Sequence, residues 1–145
     1  MIQQRRTPQA AREKQLGYHL ATARDEDTCI FRAWDCAGAT NRDHRQGRDA
    51  FNTVASNLQV LCVKHHAWKH ANTDEAVALG HTVPMNVRPD MYPVRRWRRV
   101  GVVWKSGWVL FDDEGGITWI SEREAAERLA LEYPGMRWSD VKAAS

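Results

Sequence analysis

Apolar and polar positions change their rhythm along the chain, and each change predicts an element. Thr7-Pro8 sets a capping hydroxyl before a proline at the first helical position, so a helix is expected from there to about Leu20. Arg24 to Ala37 is polar, carries two cysteines and reads as a tight, metal-organised loop. Gly38 to Arg48 is short and polar, compatible with a β-hairpin. Asn52 to Leu61 leads into a helix expected from about Lys64 to Leu79, with Gly80 as its C-cap. Beyond His81 the helical period stops, and Pro84, Pro89 and Pro93 break helices. Three β-rich runs follow, at Val100 to Trp104, Trp108 to Phe111 and Ile117 to Ile120. Lys-Ser-Gly and Asp-Asp-Glu-Gly-Gly between them read as the turns of a three-stranded antiparallel meander. Ser121 and Glu124 form a capping box that opens a last helix, to about Tyr133. The expected class is α+β: an N-terminal helical arm (1–23), a middle region (24–80) and a β-rich C-terminal region with a terminal helix (81–145), the boundary between halves falling near Gly80 to Pro89.

Composition narrows the setting. The 145 residues are 43% hydrophobic and 27% charged, as in a soluble globular protein. No apolar run approaches the roughly 18 residues a membrane span needs. The start, MIQQRRTPQA, has no apolar signal region, so a cytoplasmic protein is expected. Three cysteines cannot all pair within one chain. A net charge of +3 identifies no partner, but its distribution is uneven. Val94 to Lys105 holds four Arg and one Lys with no acid, interleaved with Trp97 and Trp104. Arg95, Arg96, Arg98 and Arg99 suit a nucleic-acid backbone, and a solvated strand edge accounts for them as well.

All three cysteines lie between residues 29 and 62, and the last sits in Cys62-Val-Lys-His65. A two-residue gap lets one turn present two ligands to a tetrahedral ion, and the longer Cys29 to Cys36 loop does likewise if it folds back. Cys29, Cys36, Cys62 and His65 would then form a closed structural zinc set. The alternative is a buried core thiol at Cys62 and an exposed His65.

The segment Arg42-Asp43-His44-Arg45, followed by Asn57-Leu58-Gln59-Val60-Leu61-Cys62-Val63-Lys64-His65-His66 and then His70, resembles the HNH (ββα-metal) endonucleases. The likeness covers residues 24 to 72, with Arg24-Asp25 as the lead-in to the first cysteine. It rests on the Asp-His pair, the Asn-to-His interval and the embedded Leu-Cys. It departs from the family in the six-residue gap between Cys29 and Cys36, in His65 as fourth zinc ligand, and in lacking a proline after Asp-His. The resemblance implies a ββα-metal core with a zinc knuckle over residues 24–80 and hydrolysis of DNA phosphodiester bonds. Asp43 and His66 would hold a catalytic divalent ion (Mg²⁺, Mn²⁺, Ni²⁺ or Zn²⁺), with His70, one helical turn on, as a further ligand. His44 would be the general base, its imidazole largely neutral at working pH. Asn57 would either brace the hairpin loop or reach the metal. Arg45 and Arg48, beside the Asp-His pair, are expected on the DNA together with the arginines of the second half.

From His81 to Ser121, with the run Gly107-Trp-Val-Leu-Phe-Asp-Asp-Glu-Gly-Gly116, the chain resembles small HNH proteins of actinobacterial tailed phages. That implies a phage or prophage source, a bacterial host cytoplasm, and packaging proteins as partners beside DNA. The competing expectation is a non-catalytic zinc module that binds nucleic acid or a packaging partner. An enzyme selective for modified DNA would need a base-reading pocket, which no stretch of the sequence identifies.

Overall fold

In the computed structural model, which describes residues 7–132, two short antiparallel sheets share the chain. The first pairs β1 (Thr40–His44) with β2 (Leu58–Cys62), Asp43 opposite Gln59 and His44 opposite Leu58. The expected hairpin within residues 38–48 is therefore corrected. Only its first half is a strand, and its partner comes after the long connection 45–57. Every residue of β2 is buried, so the strand shows no alternation by which the sequence would betray it.

Helix α1 runs over Ala11–Arg24, later at both ends than expected. Gln9 is the reason at the start. Its side chain exchanges hydrogen bonds with the Thr53 backbone and its N–H donates to Ala50, so the chain before Ala11 is tied to the β1–β2 connection. At the other end, Arg24 donates to the carbonyls of Ala55 and Leu58, holding the last turn against β2. The single helix expected over 64–79 is two, α2 (Val63–Ala71) and α3 (Thr73–Ala78). They break at Asn72, which has φ −131° and ψ 60° and whose side chain donates to the Trp68 carbonyl at 2.9 Å. Gly80 follows α3 with φ +77°, as a C-cap should.

The second sheet is the expected meander with its first strands shifted. β3 (Val94–Val100) pairs with β4 (Val103–Phe111), and β4 with β5 (Ile117–Ile120). The first turn is Gly101-Val102, not Lys105-Ser106-Gly107. Gly101 supplies φ +62° at the first central position of a two-residue hairpin turn. Gly107 lies inside β4, where a Cβ would come within 2.7 Å of the Trp119 ring, so glycine is what lets that ring lie on the strand. The Asp112 to Gly116 turn stands as expected. Helix α4 (Glu122–Glu132) opens with the Ser121 hydroxyl accepting from the Glu124 N–H at 3.0 Å.

Two apolar clusters bind these parts, and each draws on residues from both sides of Gly80. Val77, Leu79, Val83, Tyr92, Trp108, Ala125 and Leu129 join α3, β4 and α4. Cys29, Ile30, Leu61, Val94, Val109 and Phe111 join the cysteine loop to both sheets. Ile30 also links the sheets through its backbone, donating to Val60 and accepting from Trp97. No helix among the described residues is long and apolar enough to cross a membrane.

Candidate metal centres

The first centre forms where β2 turns into α2. Cys62 is the N-cap of α2, and its Sγ accepts from the His65 N–H at 3.4 Å, which puts Cys62 and His65 side by side. The loop after α1 folds back through a tight turn, Cys36 donating to the Ala33 carbonyl and Ala33 to the Cys36 Sγ. The sulfurs of Cys29, Cys36 and Cys62 thereby lie 3.5, 3.4 and 3.1 Å from His65 Nδ1. A tetrahedral zinc ion bound by sulfur and imidazole separates the two donor atoms by roughly 3.5 Å. The four residues thus fit a metal ion such as zinc, and all four donor atoms lie within 4.8 Å of one another.

The surroundings suit the same role. Burial pushes the Cys29 thiol up to about 12, so a thiolate here needs a cation beside it. Burial lowers the His65 pKa against the pull of Asp35, favouring the neutral, ligating imidazole. Asp35 Oδ1 lies 3.1 Å from His65 Nε2, on the side of the ring away from the sulfurs, where a carboxylate fixes the tautomer and orients the ligand. Sequence reasoning missed Asp35; a carboxylate inside the cysteine loop was the available signal. Phe31 stacks on the His65 ring with centroids 4.4 Å apart.

The second centre lies across the hairpin and α2. Adjacent residues of a strand point to opposite faces. Asp43 is buried and faces α2, its Oδ1 2.8 Å from His66 Nδ1. His66 and His70 stand one helical turn apart, ring centroids 4.9 Å from each other. Donor atoms of Asp43, His66 and His70 also lie within 4.8 Å of one another. A buried carboxylate flanked by two more exposed imidazoles is a set of donors that could hold a metal ion. Lys69 and Gln59, which the sequence reading passed over, donate to Asp43 Oδ2 at 2.7 and 2.8 Å. Burial lowers the Lys69 pKa, and Asp43 works against that.

His44 occupies the other side of β1. Its Nε2 and the Thr53 Oγ1 are 3.0 Å apart, and its ring meets Tyr18 edge-on. Partial burial, and next Arg48, lower its pKa, so the imidazole is neutral at neutral pH. Asn57 is fully buried and wholly spent on the loop. Its amide nitrogen donates to the carbonyls of Gln46 and Asn52, and its Oδ1 accepts from the Gln46 N–H. Of its two expected roles this geometry is the bracing one.

Two of the arginines expected on DNA are corrected. Arg45 is 1% exposed, and its guanidinium donates to the carbonyls of Gly80, Ser56, Pro89 and Tyr92. It pins the β1–β2 connection to the second half of the chain. Arg96 is buried too and donates to Asp25 Oδ1 at 2.7 Å. Its pairing with the buried Asp25 holds it inward, whereas Arg98 and Arg99 are exposed and Arg95 partly so. Arg48 is exposed as well.

His81 has a use that the sequence did not announce. It is buried and donates from Nδ1 to Gln59 Oε1 at 2.8 Å, Gln59 being the residue that also holds Asp43. Burial, then Arg45, Lys69 and His65, lower its pKa to about 3. The folded protein therefore resists a proton that the unfolded chain accepts below about pH 6.5. Stability is fully present above that pH and falls as the pH drops toward 3, by at most about 1.4 kcal/mol per pH unit from this one group. Urea titrations between pH 7 and 4 should show that slope, and His81→Gln should flatten it.

Comparison of the chain with protein-family models, with curated proteins and with solved structures finds no match.

Proposed function

We propose that the protein is a metal-dependent DNA endonuclease of the HNH type, phage or prophage encoded. The observation that carries this reading is the meeting of Asp43 from a β-hairpin with His66 and His70 from the following helix, beside a Cys₃His cluster that caps the same helix. In this reading Asp43, His66 and His70 hold a divalent cation, and Lys69 and Gln59 keep the Asp43 carboxylate in place. Such a cation supplies neutralisation of the charge that develops on the phosphate and on the leaving oxygen. His44 takes the proton of the attacking water, and Asn57 holds the loop that follows His44. Of the arginines expected on DNA, Arg48, Arg95, Arg98 and Arg99 keep surface positions suited to phosphate contacts. A supercoiled-plasmid assay with Mg²⁺, Mn²⁺ or Ni²⁺ tests the proposal: nicked or linear product with at least one ion supports it, and no product with any of them sinks it.

In the same reading the Cys₃His cluster is a structural zinc site. Protein purified without chelator should contain about one zinc per chain by elemental analysis. Cys62→Ser should lose the zinc and most of the stability, because metal affinity at such a site is folding free energy. A stable, zinc-free wild type would refute this.

One observation favours a second reading, a non-catalytic zinc module that binds nucleic acid or a packaging partner. The Lys69 ammonium already neutralises Asp43 from 2.7 Å, which weakens the pull of that carboxylate on a cation. Calorimetric titration with Mn²⁺ separates the two readings. Binding that disappears in His66→Ala favours the enzyme, and no binding to wild type favours the module.

A further inference from the structure

A cleft of about 340 Å³ opens between the cysteine loop, the chain just after α3, and β3. That volume lies within the range of small-ligand sites. Its walls carry three aromatic rings, Phe31, Trp34 and Trp97. Phe31 is held in place by the rings of His65, Trp68 and His81, with centroids 4.4, 4.8 and 5.4 Å away. Trp34 is 97% exposed, the most exposed large apolar side chain among the described residues, and so offers a free stacking face. Two cations complete the lining. Arg32 lies over the Trp104 ring at 3.5 Å, and Arg95 donates to the Ser106 hydroxyl. Among the described residues, no carboxylate lines the cleft.

His81 adds a polar group of defined character. Gln59 uses its amide N–H groups on Asp43 and on the His81 carbonyl, so its Oε1 receives the His81 Nδ1–H. In the neutral ring Nε2 is then an acceptor, on a side chain that lines the cleft while only 2% exposed. Planar aromatic walls beside two arginines suit a nucleotide, base against the rings and phosphate against the cations. Stacking faces beside a cationic track are how proteins hold unpaired strands.

We infer that this cleft binds an unstacked base of a DNA strand, with Arg32 and Arg95 on the adjoining phosphates. The inference rests on the proposed action on DNA and names how the strand is held. Gln59 touches both His81 and Asp43, so two side chains, His81 and Gln59, link the cleft to the second candidate centre.

The test is fluorescence anisotropy with a labelled single-stranded oligodeoxynucleotide and no added divalent cation, so that binding is read without cleavage. A matched oligonucleotide carrying abasic residues keeps the phosphates and removes the bases. Trp34→Ala, at an exposed position that does not endanger folding, and Trp97→Ala should each weaken the intact oligonucleotide about tenfold. The abasic one should bind wild type weakly and the variants no differently. The inference is overturned if Trp34→Ala binds the intact strand like wild type, if it weakens both strands equally, or if wild type does not distinguish them. An RNA of the same sequence bound at least tenfold more tightly would overturn the assignment to DNA. Plasmid nicking is scored apart from this. Base-dependent binding without nicking removes the nuclease reading and keeps the cleft, and nicking with no effect of Trp34→Ala does the reverse.

Discussion

His44→Ala should lower plasmid nicking by about 10²- to 10⁴-fold, the usual worth of a positioned general base, while folding, zinc content and binding of the divalent cation stay as in wild type. The expectation follows from where β1 puts neighbouring side chains. Asp43 turns into the protein toward α2, and His44 turns to Thr53 and Tyr18. A residue that is not among the donors can be lost without losing the ion. His66→Ala is the contrasting variant. It removes a donor 2.8 Å from Asp43, so cleavage and cation binding should vanish together. The two variants thus differ in kind, and calorimetry with Mn²⁺ beside the nicking assay tells base from ligand. If His44→Ala cuts like wild type, the role given to His44 is wrong.

Asp25→Ala should cost about 3–5 kcal/mol of folding stability, the range for removing one partner of a buried ion pair. The Asp25 side chain is fully buried at the end of α1. Arg24 grips both of its oxygens at 2.9 Å, Arg96 reaches Oδ1 at 2.7 Å, and the Val60 N–H donates to Oδ2 at 3.1 Å. One carboxylate therefore ties α1, β2 and β3 together. Alanine leaves two guanidinium groups buried without an anion, and burial is already the main force lowering the Arg96 pKa. Against a total stability of about 5–15 kcal/mol the loss is large, and the melting temperature should fall on the order of 10 °C. Urea unfolding measures it. A loss under about 1 kcal/mol would mean that the two arginines find water instead.

Arg24-Asp25 also shows where reading along the chain stops. As a dipeptide it marks the approach to Cys29; its partner Arg96 lies far away in sequence and was expected on DNA. Charge says that a guanidinium needs an anion or carbonyls. It does not say whether those belong to a phosphate or to the protein's own interior. Arg45 makes the same point with four backbone carbonyls. The second partners of the candidate ligands, Asp35 on His65 and Lys69 and Gln59 on Asp43, were equally out of reach, since each is an ordinary polar residue until the fold supplies its neighbour.

What the sequence determined by itself is what short-range geometry controls. Cys62 and His65 share one turn, His66 and His70 share one helix face, and Ser121 caps α4. Gly80 ends α3, and the Asp112 to Gly116 turn joins β4 to β5. Each depends on residues a few positions apart, where bond lengths and dihedral preferences leave little choice. The tertiary structure alone decided that β1 pairs with β2 rather than folding on itself, that β3 is the arginine-tryptophan run, and that Arg45 and Arg96 turn inward. Those outcomes depend on which surfaces meet. A strand buried on both faces carries no alternation, and a buried charge is stable only beside partners that the folded chain brings to it.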